Sequence, residues 1–255
     1  MKPIFTLAAA MFLLICLAAT PVMAASATAA MDINSAYVWR GLTFNDGLVL
    51  QPSIDVAADN GLGINVWGNY DIGDYDNTLD ENEFSEIDLT VSYGFTVGKL
   101  DIGVGVIEYL FPATDKSAVT DTTELYLSLG VPIVGGLSAS VDAYYDIDEV
   151  DAFSYATLGL SYAYDITDKL NLEASGSIAY ASEDFAQFSG RGDEDAGLYN
   201  YTLALLLGYT ISDAWSAGAN LTYVDSLDDD TLRDVDDGGH LDTNLIYGVS
   251  VAYAF

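Results

Sequence analysis

From residue 42 to the end of the chain, apolar side chains recur at every second position in one stretch after another, and this alternation constrains the fold more than any other feature. Leu48, Leu50, Ile54 and Val56 alternate with Val49, Gln51, Ser53 and Asp55. Ile87, Leu89, Val91, Tyr93 and Phe95 do so with Glu86, Asp88, Thr90, Ser92 and Gly94. Successive side chains of a strand point to opposite faces, so each stretch predicts a strand with one apolar and one polar face. Beyond residue 30 nothing reaches the roughly 18 consecutive apolar residues of a spanning helix.

Further strands are predicted over 62–72, 100–106, 124–131, 137–145, 158–164, 170–180, 199–209, 215–223 and 245–255. With a first strand over Met31 to Gly41, the count is twelve. Connections alternate in kind. Those at 42–47, 73–84, 111–121, 147–152, 182–196 and 225–242 are mostly long and acidic, whereas Asp59-Asn60-Gly61, Thr96-Val97-Gly98, Pro132 to Gly136, Thr167-Asp168 and Ser212-Asp213-Ala214 are tight. Asn-Gly is a strong hairpin signal. An even-numbered up-and-down meander with long loops at one end is the plan of an all-β transmembrane antiparallel barrel in an outer membrane.

A soluble β-sandwich is the competing architecture, and composition argues against it. The chain is 51% hydrophobic with mean hydropathy +0.26, yet carries 39 Asp+Glu against 7 Lys+Arg, a net charge of −32. A dry core cannot take unpaired carboxylates, each costing several kcal/mol, but a wet lumen can. Aromatic placement agrees. Tyr93, Phe95, Tyr162, Tyr164, Tyr209, Trp215, Tyr253 and Phe255 fall at the short-turn ends, and Tyr37, Trp39, Tyr70, Tyr109, Phe111, Tyr145, Tyr180 and Tyr223 at the long-loop ends. Tyr and Trp favour the two membrane interfaces, so these read as girdles around an aliphatic band. Nucleic acid is excluded as a partner, because the acidic chain would repel phosphate.

The N-terminus reads as a secretory signal. Lys2 precedes an apolar run from Leu7 to Ala19, and Val22-Met23-Ala24 ends in small residues, so cleavage is expected after Ala24. Residues 25–255 then form a single barrel domain. The one cysteine, Cys16, leaves with the signal, which removes disulfide and thiolate chemistry; a lipoprotein reading of Cys16 is disfavoured by the large Ile15 before it.

Ser35 to Asp71 carries an aromatic-x-aromatic-Arg-Gly step, a Gln at the start of the second strand and a Gly-rich third strand bearing Trp, filled by Tyr37, Trp39, Arg40, Gly41, Gln51, Gly61 and Trp67. The stretch resembles a bacterial outer-membrane family of TorF-type porins (Gcw_chp-like). Val49-Leu50 stands where a Pro-Ala step would precede Gln51. The terminal Tyr247 to Phe255 is similar to the signal read by the outer-membrane barrel assembly machinery. The resemblance implies an outer-membrane channel and no named solute.

A twelve-stranded barrel is wider than the eight-stranded kind filled by side chains, so a water-filled lumen is expected. Asp55, Asp71, Glu86, Asp88, Asp101, Glu124, Asp142 and Glu173 are assigned to its wall against few basic partners, Arg40 and Lys99 among them. Carboxylates between low-dielectric walls focus a negative potential and concentrate cations. The expectation is a porin-like channel for passive diffusion of small solutes, preferring cations. Inward aromatics such as Trp67, Tyr126 and Tyr144 offer stacking faces or fill space. Partners are then outer-membrane lipid and lipopolysaccharide, the assembly machinery, and small solutes or cations.

Two other classes compete. The lumen of a structural or adhesive barrel is plugged, and its acidic loops act outside; Asp74 to Glu83 and Asp228 to Asp237 offer hard oxygen ligands for Ca²⁺ but lack the full Ca²⁺-loop pattern, so no metal site or other cofactor is assigned. A barrel hydrolase needs a base beside a nucleophile. The single histidine, His240, lies in a loop and no Gly-x-Ser-x-Gly elbow exists, so no catalytic residue is assigned.

Overall fold

The computed structural model describes residues 25–73, 81–112, 120–148, 154–188, 196–227, 241 and 243–255. Its strands are β1 (Ala25–Asn34), β2 (Tyr37–Trp39), β3 (Leu42–Asn45), β4 (Val49–Ala58), β5 (Leu62–Asp71), β6 (Glu83–Val97), β7 (Leu100–Leu110), β8 (Thr122–Val134), β9 (Leu137–Asp146), β10 (Ser154–Thr167), β11 (Leu170–Ala181), β12 (Gly197–Thr210), β13 (Trp215–Ser226) and β14 (Leu245–Ala254). One short helix, α1 (Glu183–Phe188), follows β11. Twelve strands close into a barrel, each antiparallel to its neighbours, with β1 paired to both β14 and β4. Closure leaves no unpaired edge, which is what hydrocarbon demands of a β-structure.

The alternation orients every wall strand. Ile54, Leu89, Leu127, Val141, Leu158, Leu203, Leu205 and Val249 all stand exposed on the outside, while their sequence neighbours Asp55, Asp88, Ser128, Asp142, Thr157, Thr202, Ala204 and Gly248 face the lumen. In water such an outer surface would be an aggregation liability; against lipid it is the binding surface. At the short-turn ends Tyr93, Phe95, Tyr162, Tyr164, Tyr209 and Trp215 are exposed on the same outer face, Tyr253 is half-buried against Trp215 at 4.9 Å, and Phe255 is largely exposed. The molecule is an outer-membrane β-barrel.

Short turns follow the expected chemistry. Gly61 holds φ +93°, and a Cβ there would run into the carbonyl oxygen of Gly94. Glycine is therefore required in the β4–β5 turn.

The first strand differs from the expectation. The alternation carries it to Gly41 and puts Tyr37 and Trp39 at the membrane interface; β1 instead begins at Ala25 and ends at Asn34, and the chain turns into the barrel. The reason is Arg40-Gly41. Their φ values, +50° and +84°, are the pair a type I′ turn requires, so the alternation on either side folds back as a separate hairpin, β2–β3, instead of extending the wall. One further correction concerns a side chain: Tyr109 faces the lumen, not lipid, since it shares the inward parity of Gly103 and Gly105. Lys99 stands exposed in the β6–β7 turn.

Candidate functional site in the barrel mouth

The hairpin β2–β3 lies across the long-loop end of the lumen. Tyr37 packs against Trp67 of β5 with tilted rings 5.5 Å apart and donates from its hydroxyl to Glu86 Oε2 of β6 at 2.9 Å; Trp39 meets Tyr109 of β7 edge-on at 6.1 Å. Arg40 reaches β8, β9 and β10, and Asn45 donates to Asp71 Oδ1 at 2.7 Å on β5. Around the ring of twelve, β5 and β10 are five places apart, so these contacts span the mouth. Its far side is apolar: Ala36 and Leu42 pack in one buried cluster with Ala179, Phe185 of α1, Tyr199 and Ile246.

Arg40 is the centre of this arrangement. Its guanidinium forms a bidentate pair with Glu124, Nη1 to Oε1 at 2.7 Å and Nη2 to Oε2 at 2.8 Å. The rings of Trp39, Tyr144 and Tyr155 face it with centroids at 4.2, 4.3 and 4.9 Å. Tyr109 donates its hydroxyl to Glu124 Oε2 at 2.8 Å. Burial alone would lower the guanidinium's affinity for its proton, but Glu124 more than restores it, so Arg40 stays charged. Such stacking and forked pairing suit arginine and not lysine. They also hold a non-glycine residue at positive φ, a conformation that costs about 1–3 kcal/mol unless its surroundings impose it. Tyr37 is likewise fixed as a donor: burial and the charges of Glu86 and Asp88 push its phenol well above the usual tyrosine range.

The eight carboxylates assigned to the lumen all lie on the inner wall, at different heights. Asp71, Glu86 and Glu124 are buried at the mouth beneath the hairpin, with Asp88 one step deeper. Asp142 accepts from Ser128 at 2.6 Å and shares a mid-wall recess with Glu173. Asp55 accepts from Asn65 at 2.7 Å and Asp101 from Thr96 at 2.7 Å, both toward the short-turn end. They form no single ring. Asp71 Oδ2 and Asp88 Oδ1 are buried without a hydrogen-bond donor among the described residues. No group of three or more His, Cys, Asp or Glu side chains placed to hold a metal ion occurs among the described residues.

A second feature is invisible to charge counting. Asn220 of β13 donates to Asn34 Oδ1 of β1 at 2.9 Å, Asn34 to Gln51 Oε1 of β4 at 2.8 Å, Gln51 to Asn69 Oδ1 of β5 at 3.0 Å, and Asn69 to Ser85 Oγ of β6 at 2.9 Å. The chain of amides crosses β14 at Gly248, where a Cβ would strike Asn34 Oδ1. Only glycine leaves room for that bridge. Gln51 was singled out in the sequence as a motif residue, but Asn34, Asn69 and Asn220, scattered over almost the whole chain, become neighbours only when the barrel closes. Tyr155, which donates to Asn200 at 2.8 Å across β11, and Phe185 of α1 carry no such signal in the sequence either. His240 and the acidic runs 74–80 and 228–237 lie outside the described residues.

Comparison with known proteins places this barrel. Among solved structures it is similar to the NanC porin (TM-score 0.54, 11% identity, covering 88% of this chain and 98% of that one). It is also similar to the KdgM porin (0.54, 11%, 90% and 99%) and to the COG4313 outer-membrane channel from Pseudomonas putida F1 (0.53, 10%, 93% and 97%). At such identities the likeness is one of fold. No curated protein is detectably similar in sequence. Residues 18–228 match the family described as bacterial protein of unknown function (Gcw_chp), and the chain belongs to that family.

Proposed function

We propose that this protein is a porin-like channel, of the TorF type that its N-terminal motif resembles, through which small solutes diffuse across the outer membrane along a cation-preferring path beside the β2–β3 hairpin. The observation that carries the reading is the pairing of charges at the mouth. Arg40, the one cation there among the described residues, is neutralised by Glu124, whereas Asp55, Asp101, Asp142 and Glu173 line the wall below it without a cationic partner among the described residues. The field along the wall is therefore negative, and cations are concentrated in it. Export with cleavage after Ala24, insertion by the barrel assembly machinery, and contact with lipid and lipopolysaccharide belong to the same reading.

The test is the reversal potential of the purified protein in a planar bilayer under a KCl gradient. Cation preference, weakened in Asp142→Asn, is expected; anion preference or no selectivity overturns the proposal. One observation favours a second reading, the burial of Tyr37, Leu42 and Asn45 within the mouth. A barrel closed by this hairpin and acting through its acidic loops would show no conductance in the same experiment.

A further inference from the structure

Beneath the hairpin the lumen widens into a cavity of about 480 Å³, within the range of about 300–1,000 Å³ usual for small-molecule sites. Its walls differ from the acidic side of the mouth. Thr157, Ser177, Thr202 and Thr222 bring hydroxyls from four adjacent strands, β10 to β13, and Asn220, Asn34 and Gln51 continue the lining with amides. Ser177 pairs directly with Thr202, so those two hydroxyls stand side by side. The hydroxyls of Ser177, Thr202 and Thr222 are half-buried and have no hydrogen-bond partner among the described residues. Trp67 and Leu206 add apolar surface, and Leu206 is the exception to its strand's pattern: an inward leucine left 44% exposed in a polar lumen.

We infer that this cavity is a binding site for an uncharged polyhydroxylated solute of about disaccharide size. The inference rests on the channel reading for its biological sense and names the class of solute that channel takes. A sugar ring has hydroxyls on its rim, each able to donate and accept, and apolar C–H faces. The unpartnered hydroxyls match the rim, since each can donate or accept as required. Leu206 and Trp67 match the faces. A carboxylated sugar is disfavoured, because its recognition wants a free cationic fork, and the guanidinium of Arg40 is already engaged by both oxygens of Glu124. Glu173 and Asp142, in the adjoining recess, would repel it as well.

Binding is measured by isothermal titration calorimetry of the full barrel in detergent, with maltose as the neutral probe and a uronic-acid disaccharide as the charged one. Millimolar maltose binding is expected, at least tenfold tighter than the acidic disaccharide and weakened at least tenfold in Ser177→Ala/Thr202→Val. Heat-modifiable gel migration shows that this variant is folded, and Leu206→Ser gives a second, independent loss should it not be. No maltose binding, equal binding of the two sugars, or unchanged affinity in folded variants overturns the inference. Because binding in detergent needs no open pore, a barrel that binds maltose without conducting refutes the channel reading alone, and one that conducts without binding refutes only this site.

Discussion

Arg40 and Glu124, 84 residues apart in the chain, meet through two parallel hydrogen bonds of 2.7 and 2.8 Å, with both side chains more than nine-tenths buried. A buried pair of this kind adds little net stability, but losing one partner strands a charge at about 3–5 kcal/mol. The barrel's strand ladder does not depend on the pair, so the cost falls on the hairpin. In Glu124→Gln, hydrogen exchange of the amides between residues 35 and 48 is expected to speed up while that of the wall strands stays as it was, and single-channel conductance rises. Arg40→Met/Glu124→Leu, which removes both charges, recovers most of the protection. Unchanged exchange in Glu124→Gln would show that the pair does not hold the hairpin.

Gly248→Ala introduces a Cβ beside Asn34 Oδ1 and 2.6 Å from the backbone oxygen of Ile33, which cannot swing aside. Overpacking of this sort costs about 1–3 kcal/mol. Gly218→Ala meets chiefly the Oγ of Ser250, at 2.5 Å, and a serine rotamer can yield. Urea unfolding of the refolded barrel should therefore separate the two variants, with Gly248→Ala clearly the less stable. Equal midpoints would mean that the amide bridge over β14 relaxes freely.

Tyr37 has its phenol raised by burial first and then by Glu86 and Asp88. Its folded pKa lies above the unfolded one, so its contribution to stability is complete below the ordinary tyrosine value near 10 and is lost as pH rises past it toward the folded value. Spectrophotometric titration should show one fewer late-titrating tyrosine in Tyr37→Phe than in the parent protein. In that variant Glu86 loses a buried donor, at about 1–3 kcal/mol of local stability.

Leu205 stands outward near the middle of β12, and Ala204 beside it faces the lumen. Arginine at a lipid-facing midplane position costs about 2–4 kcal/mol in a barrel of this kind. Refolding into phosphatidylcholine vesicles should thus be impaired by Leu205→Arg and far less by Ala204→Arg. The reverse order would invert the assignment of the two faces.

Twelve wall strands, their facing, the tight turns and the outer aromatics were legible in the sequence because a strand's side-chain period is local, and each apolar stripe declares its own face. The carboxylates of the inner wall followed from the same parity. The hairpin β2–β3 escaped because Tyr37-x-Trp39 continues the alternation of β1, and only the left-handed pair Arg40-Gly41, which the alternation passes over, marks the reversal. What filled the mouth could not be read at all. Arg40 with Glu124 and Asn34 with Asn220 are brought together by closure of the ring, and closure is long-range: no local periodicity records which strands will face one another across a lumen. The sequence by itself thus determined a barrel with an oily outside and an acidic, wet inside. Tertiary structure decided that Arg40, the one cation at the mouth among the described residues, is engaged by Glu124, and therefore which part of the described lumen remains uncharged.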